Sequence, residues 1–149
     1  MKSEPDVFSI DDLANSPLQT TCWDGVRNYQ ARNFLRDSMK NGDKVLFYHS
    51  STDPMGVAGW CEVVREGYPD TSAFDPNSNY FDPDSTPEKP VWIMVDIKLM
   101  EKFPRLVTLQ EIKENPSLKD ILLIKRGNRL SVFPVKEEEF NEIIKMSRN

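Results

Sequence analysis

The sequence predicts an α+β fold in which a curled or closed β-barrel-type sheet of about five to six strands is decorated with short helices. Three observations lead there. The strand-like runs, rich in Val, Ile, Phe, Tyr and Trp, fall in the middle of the chain. The helical patterns fall toward its ends. The length, 149 residues, is that of one domain, and folding at that size buries roughly two-thirds of the unfolded surface, enough for a real core. A single domain over residues 1–149 is expected.

The elements follow in order. Lys2-Ser3-Glu4-Pro5 opens a first strand with polar residues. Ser9-Ile10-Asp11-Asp12 reads as a capping box, with Asp12 in the usual place of Glu, and starts a short helix through Ala14 that Pro17 ends. Asn28 is placed to cap a second helix over residues 29–39, with Ala31, Phe34, Leu35 and Met39 on its core face and Tyr29, Asn33 and Arg36 on the other. Asn41-Gly42 terminates it. Strands are predicted from Lys44 to His49, Val57 to Arg65 and Val91 to Met100, the first two joined by a hairpin-like loop from Ser50 to Gly56. Between them and the third lies a Pro-, Asp-, Asn- and Ser-rich excursion from Pro69 to Pro90, and loops of that length are often functional. Short helices are expected at Thr108–Glu114 and Ser117–Ile124, a last strand at Leu130–Phe133, and a closing helix at Val135–Met146 with Phe140, Ile143 and Ile144 turned inward.

Composition excludes several classes. No apolar run approaches the roughly 20 residues needed to cross a bilayer. Charge and proline appear by Glu4-Pro5, which does not fit a signal peptide, so an intracellular protein is expected. Cys22 and Cys61 make no disulfide framework, and with His49 as the only histidine they make no structural zinc site, so neither metal nor cofactor is expected. There is no phosphate-binding glycine loop. The net charge of −5 argues against an indiscriminate grip on a phosphate backbone. The charge is uneven, however: Glu66 to Glu88 holds six acids and no Lys or Arg, whereas Lys119 to Lys136 holds five basic residues and one acid.

The densest chemistry lies between Thr20 and Phe34. Trp23, Asp24, Gly25, Val26, Arg27 and Asn28 put a flat ring, a carboxylate, a glycine and an arginine into a loop that enters a helix. Such a loop presents free backbone N–H groups, and a ring plus a few edge-binding polar groups is what a base pocket needs. The same residues also fit a plain core in which Trp23 is buried and Arg27 pairs with Asp24. Two further readings stand beside these. Cys22 with His49 as base suggests a cysteine-dependent hydrolase, although the local signature of thiol proteases is missing. The acidic 66–88 loop suggests a protein-interaction module.

The seventeen residues from Thr20 to Arg36, preceded by Met1-Lys2-Ser3-Glu4-Pro5 and followed in order by Phe47-Tyr48-His49-Ser50, Gly56-Val57-Ala58-Gly59 and Arg129-Leu130-Ser131-Val132, resemble the EVE domain family. The resemblance spans nearly the whole chain. It implies a PUA-like fold related to the YTH domain, and a non-catalytic domain that binds a modified base, of the methyl- or hydroxymethylcytosine type, in DNA or RNA. It implies that Trp23 walls the pocket, that Lys2, Ser3, Asp24, Gly25, Val26, Arg27 and Asn28 surround the base or its backbone, and that Tyr48, His49 and Ser50 lie nearby. The partner is then a nucleic acid rather than a membrane or metal, and the location cytoplasmic in a bacterium and nuclear in a eukaryote. The family pattern also carries an aromatic strand start ahead of the Met-Lys-Ser-Glu-Pro motif, whereas this sequence begins at Met1, which then stands either after a trimmed strand or as that strand's internal methionine. Stacking on one base contributes about 1–3 kcal/mol and extruding a base costs a few, so phosphate contacts must help. Arg27, Arg32, Lys125, Arg126 and Arg129 are the candidates. One buried methyl is worth about 0.8 kcal/mol, roughly a fourfold preference.

Overall fold

A computed structural model describes residues 1–149. Five strands form one mixed sheet: β1 (Lys2–Ser3), β2 (Thr20–Cys22), β3 (Lys44–His49), β4 (Gly56–Pro69) and β5 (Ile93–Thr108), in the order β1-β3-β4-β5-β2. Only β1 and β3 run parallel; every other neighbouring pair is antiparallel. The end strands β1 and β2 are not paired with each other.

The sheet is buried on both faces. Along β3, Val45 and Phe47 join one core with Trp23, Leu35 and Val63, while Leu46 and Tyr48 join a second with Phe103, Ile112 and Phe140. Alternate residues thus enter different cores, which is why the strand reads as a continuous apolar run rather than an alternation. The first core is closed by α1 (Ile10–Ala14) and α2 (Tyr29–Asn33), the second by α3 (Leu109–Glu114) and α4 (Glu137–Ser147). β4 and β5 exceed their predicted lengths because register shifts break the ladder at several points and bend it. Between the pairs Gly59↔Lys102 and Val57↔Val107, five steps along β5 face two along β4, and Pro104 sits in that bulge. Gly59 is required there: a Cβ would stand 2.3 Å from the Glu101 carbonyl.

The capping boxes of α1 and α3 form with both reciprocal bonds, Ser9 with Asp12 and Thr108 with Glu111. Several expectations are corrected. The second helix is α-helical only to Asn33 and continues as a wider π-turn over Phe34–Ser38. Ser117–Ile124 is not one helix but two 3-10 turns, Pro116–Leu118 and Leu122–Ile124. Leu130–Phe133 is not a strand; it meets β1 through a single bond, the Lys2 N–H donating to the Ser131 carbonyl at 2.9 Å. β2 carries no strand signature of its own, because Thr20-Thr21-Cys22 has no apolar alternation. No helix is long and apolar enough to cross a membrane.

Candidate nucleic-acid interface

β2 sets the geometry of the loop that follows it. Cys22 pairs with Asp96 on β5, and the Trp23 N–H extends the ladder by donating to the Val95 carbonyl at 2.7 Å. This aims the Trp23 ring into the first core, where it is 9 % exposed and meets Phe47 edge-on, centroids 5.6 Å apart and planes at 85°. Trp23 is therefore embedded in the core and not an open stacking face. Val26 is buried beside it. Asn28 spends its side-chain oxygen on the Ala31 N–H at 3.0 Å, as an N-cap does, so one of the free donors expected at this helix start is already satisfied.

Arg27 pairs with Asp70, not with Asp24. Its Nη1 donates to Asp70 Oδ2 and to the Val26 carbonyl, both at 2.9 Å. Its Nη2 reaches the Tyr80 carbonyl at 2.7 Å and Ser72 Oγ at 3.3 Å. Asp70 is fully buried and also accepts from the Gly25 N–H, the Ser72 N–H and the Ser72 hydroxyl. Burial pushes its carboxyl pKa up, but the hydrogen bonds from Ser72, Gly25 and Arg27 and the Arg27 charge outweigh that and hold it below the usual range. The excursion after Pro69 is thus bolted onto the Trp23–Asn28 loop. Gly25, at φ +78°, allows the closure: a Cβ there would stand 2.6 Å from the Tyr80 ring. The Arg27 guanidinium lies 5.5 Å from the Tyr80 centroid and 5.3 Å from that of Trp92. Trp92 in turn stacks on Tyr29 and donates its Nε1–H to Asp82.

Asp24 is the exposed acid of the loop. Burial of its carboxyl group, and then the neighbouring Asp70 charge, raise its pKa. Cys22 is exposed, but desolvation first and then Asp24 and Asp96 raise its pKa, which keeps it a thiol. His49 Nε2 accepts the Ile10 N–H at 3.1 Å, and burial lowers the His49 pKa, so that nitrogen is committed to anchoring α1. Ser3 gives its hydroxyl to the Phe8 carbonyl, and its own carbonyl accepts the Ser50 N–H.

The sheet separates other candidates. Lys2 and Tyr48 are register partners whose side chains line a cavity of about 510 Å³ together with Phe133, Leu46 and Phe140, and Trp23 is not among its walls. Lys125, Arg126 and Arg129 are exposed on the segment after Leu122–Ile124, and none makes an ion pair. Arg32 is half-buried and donates to the Val91 carbonyl and to Asn33. Sequence reasoning missed Asp70, Ser72, Tyr80 and Trp92. One signal was available: Phe74, Tyr80, Phe81 and Trp92 stand in an otherwise polar, proline-rich stretch, and large rings there need partners. No group of acids, histidine or cysteines is arranged to hold a metal ion.

The fold and this loop define a class of protein. The EVE domain model matches residues 1–146, and the chain belongs to that family. Among its relatives, thymocyte nuclear protein 1 of Homo sapiens is 42% identical over 163 aligned residues, covering 98% of this chain and 72% of that protein. The crystal structure of human THYN1 protein in complex with DNA containing 5-methylcytosine superposes with a TM-score of 0.93 at 42% identity, over 100% of this chain and 96% of that one. A hypothetical protein from Leishmania major also superposes at 0.93, with 50% identity, over 99% of this chain and 92% of that one.

Proposed function

We propose that this chain is a non-catalytic reader of a modified cytosine in DNA, and that the base is received at the Trp23–Asn28 loop. The observation that carries the reading is the superposition, over the full chain, on a human relative whose structure was solved with 5-methylcytosine DNA. The local chemistry supports it. Asp24 is an exposed carboxylate able to accept from an exocyclic amine. Trp23 backs the loop, and the Arg27–Asp70 pair fixes its shape before any ligand arrives. Ser3, His49 and Ser50 tie the strand ends to the Phe8–Ile10 segment, while Lys125, Arg126 and Arg129 are free to meet phosphates. In this reading Arg27 holds the site together and does not touch the backbone of the ligand. Lys2 and Tyr48 face the cavity and stand outside the base site.

The curved five-stranded sheet is read as the PUA-like barrel that the family resemblance implies, with residues 1–149 working as one unit. A location wherever the DNA is kept, the nucleus of a eukaryote or the cytoplasm of a bacterium, goes with it. The committed His49 Nε2 and the raised Cys22 pKa favour this reading over a hydrolase. The 66–88 segment is not an independent docking arm either, since Asp70 and Tyr80 are part of the loop's own scaffold.

Asp24→Asn tests the assignment. It keeps size and replaces one acceptor by a donor, so affinity for modified and plain DNA alike should drop by at least fivefold with an unchanged thermal midpoint, because the exocyclic amine is common to both bases. Because the Asp24 pKa is raised, wild-type affinity should fall as pH drops through that raised value, and the variant should lack this dependence. Fluorescence anisotropy on a short duplex, titrated from pH 7.5 down to the ordinary aspartate value of 3.8, reads both. Unaltered affinity in the variant would place the base elsewhere.

A further inference from the structure

Four side chains from three separate stretches of the chain form one continuous column. Tyr80 covers Gly25 and lies over the Arg27 guanidinium, which lies over Trp92, which stacks on Tyr29 with centroids 4.9 Å apart and planes at 28°. The inner members are fixed. Arg27 is held by Asp70, Ser72 and the Tyr80 carbonyl, and Trp92, 5 % exposed, is held by its bond to Asp82. The column ends in Tyr29, which remains 61 % exposed although one face lies on Trp92. An aromatic ring so exposed on a helix gains little from the fold. Its neighbour Arg32, 5.0 Å from the ring centroid, is held by the Val91 carbonyl and Asn33 and pairs with no carboxylate; Asp37, the acid its charge reaches, is itself paired with Arg36.

We infer that Tyr29 is a stacking platform for a second, unmodified nucleobase flanking the one read at the Trp23–Asn28 loop. The inference rests on the reading of that loop as a base site. Tyr29 follows Asn28 directly, so a strand whose base enters the loop passes beside it. The column supports the ring from behind and removes the ordering cost that a free tyrosine would carry on binding. The exposed face accepts any base, because stacking needs only a π-surface, and Arg32 stands where the phosphate joining the two nucleotides is neutralised. Of the carboxylates nearby, Asp82 is engaged by Trp92 and Asp37 by Arg36. A platform of this kind favours unpaired or locally opened DNA over an undisturbed duplex.

The test pairs Tyr29→Ala and Tyr29→Phe with single-stranded oligonucleotides carrying 5-methylcytosine, with or without an abasic site at each flanking position. The wild type should lose about tenfold in affinity when the flanking base on one side is removed. Tyr29→Ala should show that loss on the intact strand and no additional loss on the abasic one, whereas Tyr29→Phe should behave as wild type. The ratio of modified to plain affinity should be the same in all three proteins. An abasic penalty equal in wild type and Tyr29→Ala would overturn the platform and leave the reading of the loop intact. A wild type that binds modified and plain strands equally would overturn that reading, while the coupling between Tyr29 and the flanking base would still be measured.

Discussion

At Trp23 a single ring has to be weighed as a surface for a base and as part of a core. Its 9 % exposure and edge-on contact with Phe47 place most of it in the core. Trp23→Ala should therefore cost about 3–5 kcal/mol of stability, the range for removing a large buried ring, read as a lower urea midpoint. A loss of DNA binding in that variant says little about contact with the base, whereas Asp24→Asn leaves the core untouched. Sequence alone left both roles open, since the residue type fits each and nothing local shows which way the ring turns. The direction comes from β2, three residues whose pairing with β5 is invisible in their own pattern. Arg27 shows the same limit. Its partner Asp70 lies 43 positions away in a run of acids that resembles any solvated surface.

Among the elements, those governed by local rules were legible. The Ser9–Asp12 box, the Asn28 cap and the short helix after Thr108 follow from neighbouring residues. The extension of β5 past Met100 was not legible, because Phe103 and Val107 cross to the second core through a bulge and the alternation breaks there. The excursion after Pro69 reads as a loop, and so it is, but its anchoring is a tertiary matter. Asp70 makes that anchor sensitive to acid. Its folded pKa lies below the ordinary aspartate value of 3.8, so its contribution is fully present above that value. The contribution is lost as pH falls through the folded value. Proteolysis within residues 70–92 should therefore accelerate below about pH 4. Arg27→Ala should accelerate it at neutral pH, because it leaves a buried carboxylate unpaired at a cost of about 3–5 kcal/mol. Limited proteolysis followed by mass spectrometry reads both, and an equally resistant segment in Arg27→Ala would show that other contacts hold it.

Over the whole molecule, two cores on opposite faces of one sheet fix where binding can occur. The Trp23–Asn28 loop and its Asp70–Trp92 cover belong to the first core's side, while the cavity of about 510 Å³ that Lys2 and Tyr48 line is walled by residues of both cores and not by Trp23. A net charge of −5 leaves little non-specific attraction for DNA, so affinity must come from a few well-placed cations and from the base itself. Discrimination by a methyl group alone is worth only about 0.8 kcal/mol; a larger ratio requires groups that touch the modified 5-position itself, since the amine that Asp24 can accept from is common to modified and plain cytosine. The proposed function turns on whether this chain distinguishes modified from plain cytosine in DNA. The most direct measurement is the ratio of dissociation constants for matched oligonucleotides bearing 5-methylcytosine or cytosine at one position, taken at several salt concentrations. A ratio of about fourfold or more that stays constant while both affinities weaken with salt is expected. A ratio of one at every salt concentration would contradict the claim.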